Sequence, residues 1–139
     1  EGRGMMGVPG NAARTFGTAA ATDVSVLLLT QATSEQSICF AAPEETTEQV
    51  ISGLEKEFER ELDRQDIDRV WAIRPVAIIT VVGAGMRGTP GIAGRLFTAL
   101  GNQRINIIAI AQGSSECSIS LVVAGRDTAE AVRHIHALL

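Results

Sequence analysis

Two patterns of apolar and polar positions alternate along the chain. Apolar residues spaced three and four apart mark helices over residues 11–21, 47–62, 92–100 and 128–139. Continuous or alternating apolar runs mark strands over 24–30, 35–42, 70–73, 76–82, 105–111 and 116–123. Ala12, Ala13, Phe16 and Ala20 are the expected inner stripe of the first helix. Val50, Ile51, Leu54, Phe58 and Leu62 are that of the second, which starts behind a capping Thr46 or Thr47. Ile92, Leu96, Phe97 and Leu100 face inward on the third, and Val132, Ile135 and Leu139 on the fourth.

The order of elements repeats because the sequence repeats. Leu29-Thr30-Gln31 with Ser34-Glu35 returns as Ile110-Ala111-Gln112 with Ser115-Glu116, an offset of 81 residues from Gln31 to Gln112. The same offset carries Gly4 to Gly85, Met5 to Met86, Pro9 to Pro90, Arg14 to Arg95 and Phe16 to Phe97. Each copy reads β-α-β-β-α-β, a split βαβ or ferredoxin-like plan. The expected fold is α+β: two such units with antiparallel sheets, residues 1–74 and 75–139. The first lacks its leading strand and the second its final one, so the chain reads as part of a longer protein. Open sheet edges of that kind call for a partner chain or for the absent segments.

Composition narrows the function. At 139 residues and 45% hydrophobic, the chain suits one compact unit or two small ones. A net charge of −4 with scattered basic residues leaves no nucleic-acid footprint. Its apolar runs are too short for a membrane span, and no signal peptide opens the chain. Cys39 and Cys117 do not correspond under the repeat, and they read as reduced thiols of a cytoplasmic protein. With two His and two Cys, zinc spacing is absent and no metal site or cofactor is expected.

Gly2-x-Gly4-x-x-Gly7 and Gly83-x-Gly85-x-x-Gly88 match the dinucleotide fingerprint, and the second follows a strand and precedes a helix. The fingerprint also wants an acidic residue about 20 positions on, where these strands end in Gln31 and Gln112, and the next strand turns straight into a hairpin. A nucleotide site is therefore set aside. The glycines let backbone approach a ligand closely, or they simply make a tight turn. N–H groups at the following helix start favour an anion such as an amino-acid carboxylate.

Gln31 and Gln112 each close a long apolar strand, where an amide can donate and accept at once. That suits a small zwitterion or a hydroxylated side chain; alternatively each amide caps its own turn. In this topology the first two strands of a unit run parallel. Gln31 should therefore neighbour the loop at 2–9, and Gln112 the loop at 83–90. Ser25 and Asn106 lie six positions earlier, on the order of 20 Å away at about 3.3 Å per residue. They could meet a ligand only through the loop of a neighbouring unit joined antiparallel along that strand. Glu35, Glu116, Ser34 and Ser115 read as turn or hairpin partners. Arg14 and Arg95 read as solvated or interface charges, Trp71 as a packing anchor, and His134 and His136 as non-catalytic.

The paired Gly-Met-x-Gly-x-Pro-Gly loops, each followed by x-x-Gln-x-x-Ser-Glu-x-Ser-Ile, resemble the C-terminal regulatory region of aspartate kinase, two ACT domains in tandem. The resemblance spans essentially the whole chain and is densest over 81–93 and 105–116. Gln in both copies is closer to the threonine-sensitive type, often fused to homoserine dehydrogenase. The resemblance implies contacts to threonine from Gln31, Gln112, Leu29 and Ile110. It implies effector-lining loops with Met5, Gly7 and Pro9, and with Met86, Gly88 and Pro90, and it leaves Ser25 and Asn106 as further candidates. It implies a homodimer through ACT units, and a kinase catalytic domain elsewhere in the parent chain. No catalysis is expected of this stretch itself, which lacks a nucleophile–base pair. Lysine as effector, or a dimerisation module without one, are the alternatives. Asp23-Val24-Ser25 stands where the second copy has Arg104-Ile105-Asn106, so the two sites need not be equivalent.

Overall fold

The computed structural model describes residues 1–31, 33–34, 36–113 and 117–138, with backbone only at Ala84. Glu35, Ser115, Glu116 and Leu139, assigned roles above, lie outside the described residues. The chain divides into two units, Glu1–Ala72 and Ile73–Leu139.

The second unit shows the plan most fully. Strand β3 (Val76–Val82) leads through a 3-10 turn into helix α4 (Ile92–Asn102). Strands β4 (Ile107–Gln112) and β5 (Ser118–Ala124) follow, then helix α5 (Thr128–His136). The sheet order is β3-β5-β4, both outer strands antiparallel to β5. Val82 opposite Ser118 and Gln112 opposite Ile119 put the ends of β3 and β4 at one end of the sheet. β5 lies between β3 and β4, so the parallel neighbours of a dinucleotide fold do not exist here. Leu100, Ile119, Leu121 and Val123 are the largest fully buried side chains. Each such burial is worth about 1.5–3 kcal/mol.

In the first unit helix α1 (Asn11–Ala21) precedes strands β1 (Leu28–Gln31) and β2 (Ile38–Ala41). Helices α2 (Thr47–Glu57) and α3 (Glu59–Asp63) follow. The apolar run at 24–30 predicted a longer strand. Pairing stops at Leu28 opposite Ala41, with one more bond from Leu27 N to Ala41 O, because Pro43 beyond it has no N–H to continue the ladder. Residues 70–73, expected as a strand, have no regular structure. The segment just before them runs against the chain's first residues instead: Asp68 N donates to Glu1 O at 2.7 Å and Gly4 N to Asp66 O at 3.0 Å.

At several places the duplication extends to single backbone bonds and torsions. Gly2 N donates to Gln36 O and Gly83 N to Cys117 O, both at 2.9 Å. Gly7 and Gly88 share a left-handed φ (71° and 67°), as do Gly10 and Gly91 (90° and 84°) and Asp23 and Arg104 (56° and 57°). These are backbone states that favour glycine.

Three side-chain expectations change. On α1 the buried positions are Asn11, Thr15 and Ala19, while Ala13 and Ala20 are exposed. These are the repeat equivalents of Ile92, Leu96 and Leu100, so the helix keeps its copy's orientation although its own apolar residues are displaced. On α5 Ala131 and Ile135 face inward and Val132 is exposed. Neither Thr46 nor Thr47 caps α2: their hydroxyls donate back to Pro43 O (2.7 Å) and Glu44 O (2.6 Å).

Candidate functional site

In the first unit the end of β1, the glycine loop and the start of α1 enclose a cleft of about 350 Å³. Met5, Gly7, Val8, Pro9, Gly10, Asn11, Ala12, Gln31 and Ile38 line it. Gln31 pairs with Ile38 across the two-stranded ladder, and paired residues share a face, so both reach the same side. Left-handed Gly7 and Gly10 fold the loop back over the helix start. The first N–H groups of α1 have no carbonyl four residues earlier within the helix, which leaves this wall electropositive.

The structure thus brings Met5, Gly7, Pro9 and Gln31 together, as the topology required. Ser25 lies outside the cleft, in the segment before β1, and Leu29 is 47% exposed on the face it shares with Gln31. Asn11 was not singled out as a site residue. It is a buried polar residue that lines the cleft, and its Nδ2 donates to Met5 O at 3.4 Å. The available signal was the repeat: a polar side chain stands where the second copy has Ile92.

Two glycines have a different role from the one expected. A Cβ on Gly2 would lie 2.5 Å from Asp66 O, and one on Gly4 would lie 2.6 Å from Asp66 Cα. The backbone they approach closely is the chain's own, and the N–H groups of both are occupied, by Gln36 O and Asp66 O.

In the second unit Gln112 occupies the equivalent place at the end of β4, exposed and opposite Ile119. Met86 is buried, Gly88 is left-handed, Pro90 is exposed, and Ile110 is 43% exposed. Asn106 lies elsewhere, before β4, in a cleft of about 370 Å³ shared with Arg74, Pro75, Ile108 and Arg126. That is the opposite end of the sheet from Gln112.

The arginines are not free surface charges. Arg14 Nε donates to Glu57 Oε1 (2.8 Å), Nη1 to Glu61 Oε1 (2.5 Å) and Nη2 to the Glu57 carbonyl (2.7 Å), and its guanidinium covers the Phe58 ring at 4.4 Å. Arg95 Nη2 repeats the carbonyl contact at Leu138 O, 3.1 Å. Each arginine ties a unit's first helix to the end of its second, so the helix start at the cleft is held from behind. The Arg14 hydrogen bond holds the Glu61 carboxyl below the usual carboxylate range against an opposing effect of burial. Trp71 is no core anchor: it is 50% exposed, Arg69 stacks on its ring at 4.2 Å, and its Nε1 donates to Glu1 Oε2. Among the described residues His134 bonds one carboxylate, that of Glu130 one turn back, at 2.9 Å. Among the described residues no group of three or more His, Cys, Asp or Glu could hold a metal ion, and no helix is long and apolar enough to cross a membrane.

A duplicated ferredoxin-like unit, with a small and mostly apolar cleft beside a strand-end amide, is the plan of a regulatory module. The chain belongs to the ACT domain family, which matches residues 1–58 and 79–139. It is 44% identical over its whole length to the bifunctional aspartokinase/homoserine dehydrogenase of Haemophilus influenzae, and 40% identical over 98% of its length to that of Daucus carota. It spans 17% and 15% of those proteins. Its fold is that of the ligand-free regulatory subunit of aspartate kinase from Thermus thermophilus. There the TM-score is 0.80 at 24% identity, over 97% of this chain and 86% of that one. The aspartate kinase of Synechocystis gives a TM-score of 0.78 at 28% identity, over 96% of this chain and 23% of that one.

Proposed function

We propose that this chain is the effector-binding regulatory region of an aspartate kinase that also carries homoserine dehydrogenase, acting in the cytoplasm, and that its effector is L-threonine. The parent reaction is then the phosphorylation of L-aspartate by ATP to 4-phospho-L-aspartate, performed by a domain outside this stretch. The observation that carries the reading is the cleft in which Gln31 faces the start of α1 across the glycine loop. The helix start suits the carboxylate of a free amino acid, and a glutamine amide can bond the ammonium or a side-chain hydroxyl. Relatives named as bifunctional enzymes support the parentage.

Effector binding would shift the units between two arrangements that the catalytic domain senses, a coupling of only about 1–3 kcal/mol. Leu29 and Ile110, apolar and half exposed on matching strands, favour a homodimer through these units. If effector binding is absent, that dimerisation is the module's function.

Thermal shift with threonine, lysine, methionine and isoleucine tests the reading. At about one hundred times its Kd a ligand stabilises by roughly 2.7 kcal/mol. Threonine should raise the melting temperature of the wild type, and less so for Gln31→Ala and Gln112→Ala. A response to lysine alone would refute threonine, and no response to any amino acid would leave the dimerisation module.

A further inference from the structure

The two copies share the glycines, methionine and proline of the loop, differ within it at Arg3/Ala84, Met6/Arg87 and Val8/Thr89, and differ again at the first residue of the helix that follows, Asn11 in α1 and Ile92 in α4. Ile92 packs against the apolar core of its unit. Asn11 is 8% exposed and lines the cleft with Gln31. A buried amide lowers stability unless its hydrogen bonds are made. This side chain makes one among the described residues, to Met5 O at 3.4 Å, near the limit of such bonds. That bond uses one of the amide's two donors, and among the described residues no donor is bonded to its oxygen.

We propose that Asn11 is the specificity-determining residue of the first unit's cleft: its amide oxygen accepts a hydrogen bond from the side-chain hydroxyl of the bound amino acid. The first cleft then selects a hydroxylated effector over its apolar isostere. The second unit, with Ile92 at that place, does not make the distinction. This rests on the effector reading of the Gln31 cleft and adds to it a division of labour between the copies. A site that bonds a ligand hydroxyl rejects the analogue lacking it, because the buried polar group is then left unpaired.

The test is calorimetric titration of the full chain with L-threonine and with L-valine, in which a methyl replaces the hydroxyl. A Gln112→Ala background isolates the first cleft. With Asn11 intact, threonine should bind at least about tenfold more tightly than valine. Asn11→Ile should bring the ratio to within about threefold by lowering threonine affinity. Asn11→Asp loses the donor to Met5 but keeps an acceptor, so it should retain the preference even if overall affinity falls. A merely structural role predicts the reverse, with Asn11→Asp as damaging as Asn11→Ile. A ratio unchanged in Asn11→Ile, or lost in Asn11→Asp, overturns the assignment. So does threonine binding that disappears in Gln112→Ala while the wild type still binds. Failure of the wild type to bind threonine at all overturns the effector reading itself.

Discussion

Gly4 donates its N–H to the carbonyl of Asp66 at 3.0 Å, and the backbones lie so close that a methyl on Gly4 would sit 2.6 Å from Asp66 Cα. At its repeat equivalent, Gly85, a methyl would meet nothing within 4 Å among the described residues. Gly4→Ala should therefore destabilise the first unit by about 2–4 kcal/mol, whereas Gly85→Ala should stay within about 1 kcal/mol. Chemical denaturation of the two variants checks this. Equal effects would mean the glycine loops are held alike.

Glu61 gives the first unit an acid-sensitive tie. Arg14 holds its carboxyl below the ordinary value, while Oε2 is buried with no hydrogen-bond partner among the described residues. A depressed folded pKa contributes stability above the unfolded value of about 4.3, and that stability is lost as the pH falls through the folded value. Stability should thus decline below about pH 5 in the wild type, and Glu61→Gln should show a shallower decline and a lower plateau at neutral pH. Melting temperatures across pH 3–7 measure both.

Leu100 is fully buried in the second unit's core, and its equivalent in the first unit is Ala19. Leu100→Ala should cost about 2–5 kcal/mol, because it opens a cavity that the surrounding sheet cannot close. Leu29→Ala, on the half-exposed face of β1, should cost under about 1 kcal/mol in the monomer. It should weaken self-association if that face is a dimer contact. Unfolding and sedimentation together separate the two effects.

Gly91 and Gly94 should respond in opposite directions. Gly91 has φ 84° at the start of α4, so Gly91→Ala should cost about 1–2 kcal/mol by backbone strain alone. Gly94 is an exposed helix residue where a methyl would meet nothing within 4 Å among the described residues, so Gly94→Ala should add about 0.5–1 kcal/mol. Thermal unfolding of each variant reads the sign.

Much of this architecture is legible from the repeat. Gln31 beside its own glycine loop follows from strand direction alone, and the structure places both on one cleft. What the pattern hides is what one copy owes to the other. Asn11, Thr15 and Ala19 do not look like an inner stripe, and only the offset to Ile92, Leu96 and Leu100 reveals them. The close approach of residues 66–68 to Gly2 and Gly4 is a long-range backbone contact with no local signature. It made two glycines look like ligand loops when they are packing positions. The arginine ties depend on a helix ending opposite another, which periodicity does not encode.

Thr15 and Ala19 fill the first unit where Leu96 and Leu100 fill the second, so the half that holds the Gln31 cleft rests on the thinner apolar interior. A few kilocalories from a ligand bound at that cleft, as proposed, would then be a larger share of what keeps that half folded. The first unit, with the smaller buried cluster, should accordingly be the easier of the two to reshape.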